Sequence, residues 1–129
     1  MHASGSFEVK LAPQSPAQGI EAANLGRMAI DKQFRGELEA HSLGEMIAAG
    51  TAVSGSAGYV AMERVTGSLH GRNGSFVLQH SATMTRGEPQ LSVTVVPDSG
   101  TGELVGLAGS MQIQVEDGRH AYTFDYRLA

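Results

Sequence analysis

The chain contains no cysteine and no tryptophan. The first absence excludes disulfides, thiolate metal sites and cysteine nucleophiles, so packing and backbone ladders must hold the fold. The second, with aromatic residues at only 5%, leaves few stacking platforms for single-stranded nucleic acid. A basic excess is also missing: 9 Lys and Arg stand against 13 Asp and Glu, a formal charge of −4, and the basic residues are scattered rather than gathered into a stripe. No apolar run approaches the ~20 residues of a membrane helix. The stretch MHASGSFEVKL lacks the basic start and apolar core of a signal peptide. The expectation is a soluble cytoplasmic protein with no nucleic-acid and no membrane partner.

What the chain does have is glycine, 17 of 129 residues, about twice the usual share. These glycines punctuate short apolar runs, the composition of a turn-rich all-β domain. The length fits one domain over residues 1–129 and is short for two. Phe7, Val9 and Leu11 alternate with Glu8 and Lys10, the period of a half-buried strand. Residues 12–24 hold Pro13 and Pro16 and read as a connection with a short helical turn near Ile20 to Asn24. Met28, Ile30, Lys32 and Phe34 then share one side until Gly36 interrupts. Ser42-Leu43-Gly44-Glu45 reads as a turn, followed by a small-residue strand from Met46 to Val53.

Three further connections fix which side chains share a face, because side chains alternate and opposed residues point the same way. Whether the first hairpin turns on Asn73-Gly74 or on the whole of 71–74, parity is the same. Tyr59, Ala61, Glu63, Val65 and Leu69 then face the side of Phe76, Leu78, His80, Ala82 and Met84. A Gly87-Glu88 loop pairs Met84 with Leu91, Ala82 with Val93 and His80 with Val95. Asp117-Gly118 is a strong two-residue hairpin signal, pairing Val115 with His120, Ile113 with Tyr122, Met111 with Phe124 and Gly109 with Tyr126. One apolar face running across at least five strands must curl on itself, so the chain is expected to form a single antiparallel closed or nearly closed barrel of about eight strands. The small inner residues Ala61, Ala82 and Gly109 suggest an interior not filled everywhere. Phe124, Met62 and Met111 are assigned to the core.

Glu63 and His80 are the polar intruders on that face and the candidate catalytic pair, diagonal to each other if the loop is the whole of 71–74 and further apart if the turn is Asn73-Gly74. Burial would raise the pKa of the carboxylate and a protonated histidine beside it would lower it; together they could move a proton on a hydrophobic ligand. Tyr59, Ala61, Lys32, Leu78, Ala82, Tyr122 and Tyr126 are the candidate ligand-binding residues. The competing reading is structural: Glu63 satisfied by Tyr59, Lys32 or Arg64, with His80 bonded to backbone and Lys32 reaching out at the rim. His2, His41, His70, His80 and His120 show no metal-ligand spacing, and no cofactor fingerprint occurs, so neither metal nor cofactor is expected. Asn73-Gly74-Ser75 matches a glycosylation acceptor, but its turn chemistry is the simpler account. The residues 100–106, GTGELVG, read as a hairpin loop rather than a dinucleotide or phosphate motif, with Asp98 and Ser99 placed to rim a cavity.

The block GSAGYVAMERVTGSLHGRNGSFVLQH, with VVPDSGTGELVGLAG and the terminal HAYTFDY, resembles a bacterial family of small proteins of unknown function. Members of that family look like allene oxide cyclase and dirigent proteins in fold, which implies a barrel of about eight strands around a cavity. No activity comes with the resemblance, and fold alone gives none. The functional expectation is a small-molecule-binding barrel, with isomerase or cyclase chemistry on a hydrophobic ligand as its sharper form. The alternative is a non-catalytic structural or protein-interaction barrel with a filled core, as a homo-oligomer.

Overall fold

A computed structural model describes residues 1–128 as a closed antiparallel barrel of eight strands in sequence order. These are β1 (His2–Gln14), β2 (Gly26–Gly36), β3 (Leu38–Gly50), β4 (Ala57–Leu69), β5 (Arg72–Thr85), β6 (Glu88–Val95), β7 (Ala108–Glu116) and β8 (Arg119–Arg127). The expected all-β barrel is borne out. Closure is made by β1 against β8, with Ala3 opposite Phe124 and Phe7 opposite His120. Among the described residues no helix is long and apolar enough to cross a membrane.

The two ends of the barrel differ. The end holding the β2–β3 and β4–β5 turns is packed with Phe34, Leu38, Leu69, Phe76, Phe124 and Tyr126. Phe76 stacks on Phe124 with ring centroids 5.8 Å apart, and Phe124 on Tyr126 at 5.3 Å. Tyr122 closes one corner: its hydroxyl accepts the Leu38 N–H at 2.9 Å and donates to the Arg35 carbonyl at 3.0 Å. Each fully buried side chain of this size contributes about 1.5–3 kcal/mol, so this half supplies most of the apolar driving force. The long β6–β7 connection folds onto it, a 3₁₀ turn at Gly102–Leu104 burying Leu104 while Leu107 follows. It is therefore a plug on the packed end rather than an open hairpin loop, and Ser99 is spent accepting the Val77 N–H at 3.0 Å.

Several local expectations are corrected. Parity holds in all three hairpins, but two registers differ. The β4–β5 turn is His70-Gly71, with φ of 47° and 80°, the double left-handed geometry of a tight hairpin; Glu63 lies opposite Leu78 and Ala61 opposite His80. Asn73 and Gly74 sit inside β5. The glycine there serves packing, since a Cβ at 74 would stand 2.1 Å from the Thr101 carbonyl oxygen of the plug. The β5–β6 turn is Arg86-Gly87, placing His80 opposite Val93, Ala82 opposite Leu91 and Met84 opposite Pro89. The last hairpin pairs as expected. Residues 42–45 are not a turn but the middle of β3, and β3 ends at Gly50 rather than Val53. Met62 is not core: it points outward, 50% exposed, as it must if its neighbour Glu63 points in.

The displaced turn is testable by thermal melting. Gly74→Ala should cost about 1–3 kcal/mol through the clash with the plug, while Asn73→Ala should fall within roughly 0.5 kcal/mol of the parent. A large loss in Asn73→Ala would restore Asn73-Gly74 as the turn.

Candidate functional site

At the other end the interior opens into a cavity of about 290 Å³. Its walls are apolar, with Phe7, Val9, Ile30, Met46 and Ile113 among them, and Leu11, Leu91 and Val115 form an exposed rim. Lys32, Glu63 and His80 project from neighbouring strands into this half. All three are buried, 5%, 1% and 5% exposed respectively.

Glu63 is the centre of the set. Its Oε2 accepts from Lys32 Nζ at 2.8 Å and from His80 Nε2 at 2.6 Å, and its Oε1 accepts from Ser42 Oγ at 2.7 Å. The donors come from β2, β5 and β3, so one carboxylate on β4 ties four strands. Lys32 Nζ also lies over the Phe7 ring at 4.7 Å and the Phe34 ring at 5.3 Å, cation–π contacts that help solvate a buried ammonium. The backbone makes room for this. Gly44, opposite Glu63, has no side chain, and a Cβ there would stand 2.7 Å from the Glu63 Cα.

Burial alone would raise the Glu63 carboxyl. The His80 hydrogen bond, the Lys32 charge and the His80 charge outweigh it and bring the group down from 4.5 to about 2. Glu63 is thus a fixed anion and cannot act as a base near neutrality. The unpaired edge belongs to its partner. With Nε2 on Glu63, His80 keeps Nδ1, which bonds no protein group; since no buried side-chain nitrogen or oxygen among the described residues lacks a partner, Nδ1 is not sealed off, and the ring lines the cavity. A carboxylate on one ring nitrogen fixes the tautomer that leaves a lone pair on the other. Lys32 spends one of its three N–H donors on Glu63. Tyr59, nearer the mouth, has its hydroxyl pushed up by burial and then by the Glu63 charge, so it stays protonated.

Of the residues singled out from sequence, Lys32, Tyr59, Ala61, Glu63 and His80 line the cavity together. Leu78, Tyr122 and Tyr126 lie in the packed half. Tyr126 hydrogen-bonds Nδ1 of His70, whose Nε2 reaches Glu37 at 3.2 Å. Ala82 is half-buried, opposite Tyr59 in the ladder, and is not among the lining residues. Arg64 points outward and is exposed. Ser42 escaped notice because residues 42–45 read as a turn; continued alternation through Leu38, Ala40, Ser42 and Gly44 is the signal that places it inward. His120 was set inward by the last hairpin but not recognised as a cavity residue; its ring stacks on Phe7 at 4.9 Å. Among the described residues no group of three or more His, Asp or Glu is placed to hold a metal.

The chain matches, over residues 3–126, the family model described as protein of unknown function, DUF3224. It is similar to a crystal structure of a protein with unknown function from the same family, from Shewanella oneidensis MR-1. The two share 54% identity over 100% of this chain and 97% of that one, with a TM-score of 0.93. No curated protein matches the chain.

Two predictions follow from the Glu63 geometry. Glu63→Gln strands Lys32 as a buried charge without its counter-ion, and chemical denaturation should show a loss of about 3–5 kcal/mol; the pair Lys32→Met with Glu63→Gln should recover much of it. A carboxyl whose folded pKa lies below its unfolded one stabilises fully above pH 4.5 and loses that contribution as pH falls toward about 2. The parent should therefore lose roughly 3 kcal/mol across that window, and Glu63→Gln should flatten this acid limb.

Proposed function

Because the chain belongs to the DUF3224 family of proteins of unknown function, we propose its role from the site: a small-molecule-binding barrel that moves a proton on an apolar ligand. The observation that carries this is the buried Lys32–Glu63–His80 set on the wall of an open apolar cavity. Apolar walls with a few convergent polar groups are the usual make-up of ligand sites, and 290 Å³ is near their lower bound of about 300 Å³.

In this reading the ligand carries a carbonyl oxygen against the Lys32 ammonium. His80 Nδ1 takes a proton from the adjacent carbon, and the electron pair moves onto the oxygen as an enolate beside the cation. Where the ligand carries a β,γ double bond the enolate is a dienolate, and the Nδ1–H returns the proton to its γ-carbon, giving the conjugated isomer with no net change in atoms or charge. Glu63 is a positioning residue here, holding the imidazole tautomer and neutralising Lys32. The likeness to allene oxide cyclase and dirigent barrels is proposed as architectural, resting on eight-stranded closure, and lends no chemistry. A cytoplasmic setting without nucleic-acid or membrane partners goes with the acidic net charge of −4.

The test is thermal melting against a library of small metabolites. A specific ligand should stabilise the parent by mass action, about 2.7 kcal/mol at a hundredfold excess over Kd. Ala61→Phe, which fills the cavity, should remove the shift. His80→Gln should leave the shift and abolish any turnover of that ligand. Stabilisation that persists in Ala61→Phe would place the ligand elsewhere.

A second reading, a structural or interaction barrel, is favoured by the packed half and by an outer strip of Leu43, Ile47, Val60 and Met62 on β3 and β4, each 43–61% exposed. Singly exposed apolar residues need no partner, but a contiguous strip marks a contact surface. If the protein is a homo-oligomer through this strip, Val60→Glu should release monomers in sedimentation without loss of melting temperature.

A further inference from the structure

Within the binding part of the proposed reading, on which this inference rests, the charge balance of the cavity selects a second ligand class, one whose proton occupies His80 Nδ1 and so keeps that nitrogen from acting as the base. Lys32 is cationic, Glu63 is anionic and the two are in contact; with a neutral imidazole the buried set carries no net charge. A ligand anion entering these apolar walls alone would add an uncompensated buried charge, which is strongly disfavoured. Within the buried set, a proton arriving with it has one place to go. Lys32 is already charged, and all the acceptance of Glu63 Oε2 is committed to Lys32 and His80 while Oε1 holds Ser42. The vacant acceptor is His80 Nδ1. The titratable groups facing it from the surrounding strands are Glu63 and Tyr59 on β4, Lys32 on β2 and, across the mouth, His120 on β8; the strand on its other side offers Leu91 and Val93.

We propose that the cavity takes up a compact apolar carboxylic acid together with its proton, the carboxylate spanning Lys32 Nζ and a protonated His80 Nδ1. Both groups are nearly buried, and each has a donor available for one oxygen: Nζ retains two N–H bonds beyond Glu63, and Nδ1 becomes a donor on protonation. Size follows from volume. An apolar cavity of about 150 Å³ takes up benzene, so 290 Å³ admits a single ring or short branched chain with its carboxyl group, and excludes long acyl chains unless they run out through the rim at Leu11, Leu91 and Val115.

The test is calorimetric titration of the full chain with benzoate, phenylacetate and cinnamate, each beside its primary amide, in buffers of differing ionisation heat between about pH 6 and pH 9. The expected result is uptake of about one proton per acid bound, affinity falling about tenfold per pH unit in the alkaline part of the range, and amides at least about tenfold weaker. His80→Gln should abolish the uptake and weaken the acids at least about tenfold, and Lys32→Met should weaken the acids likewise while leaving the amides as weak as in the parent. Uptake that survives in His80→Gln and vanishes in His120→Gln overturns the assignment to His80. Acids that bind without proton uptake, or amides that bind equally well, overturn this inference while leaving a neutral-ligand cavity standing. If no acid or amide binds, this inference falls, and if in addition no apolar molecule of any class shifts the melting temperature, the binding reading falls with it.

Discussion

The structure depends on one desolvated carboxylate. Removing an ion of this size from water costs several kcal/mol even after relaxation, and Glu63 is 1% exposed. Its three donors arrive from β2, β3 and β5, so the strand order around β4 and the inward parity of each strand are set together. A slip of one residue in β3 would turn Ser42 outward and leave Oε1 unsatisfied; the same slip in β2 would remove the ammonium donor and in β5 the imidazole donor. Register is strongly specified when a buried polar group depends on it. The missing side chain at Gly44 belongs to the same constraint, because β3 must approach Glu63 closely for Ser42 to reach it.

A barrel of eight strands is about wide enough to be filled by side chains or to hold one small ligand, and this one does both at different heights. Aromatic and aliphatic side chains, with the plug carrying Leu104 and Leu107, fill one end. Toward the other end the inward positions become Ala61, Gly44 and the charged set, and the volume opens. The division is energetic as well as spatial. The packed half provides apolar burial that offsets the desolvation of the charged half, and its tied corners, such as Tyr122 between Arg35 and Leu38, hold strands rigidly enough for charged hydrogen bonds to keep their geometry.

Much of this was legible in the sequence because side-chain parity survives errors in loop length that are even. The β4–β5 turn is His70-Gly71 where the sequence points to Asn73-Gly74 or to the whole of 71–74, yet each of these loops puts Glu63 and His80 inward. Asn-Gly is the stronger local hairpin signal, but Gly74 is required by the plug, a contact across 27 residues that no local rule sees. The reading of 42–45 as a turn failed for a related reason. Gly44 looks like punctuation locally, whereas its absent side chain answers a carboxylate on the next strand. Alternation puts Lys32 inward, where lysines usually reach out to a rim; two aromatic rings and Glu63 keep it in. Of the small inner residues that hint at the cavity, Ala61, Ala82 and Gly109, Ala61 lines it and the other two do not, since its outline depends on where the packing stops, a property of the assembled barrel.

The charged set is a poor device for stability alone. Replacing a buried ion pair or triad by packed apolar residues of similar volume is often neutral or stabilising by about 1–4 kcal/mol, and here such residues would also fill the adjoining cavity. A barrel needing only to be stable would gain from both changes. What the set provides instead is a cation and a free imidazole nitrogen held beside an apolar space, with their charges balanced by an anion that never titrates near neutrality. Glu63 is therefore the least reactive member and the one on which the others depend: it fixes the tautomer of His80, cancels the charge of Lys32 and leaves both facing the cavity. In the proposed function the pair accordingly divides into a base, His80, and its support, Glu63, with the ammonium of Lys32 supplying the electrostatic partner that a carboxylate in that position could not.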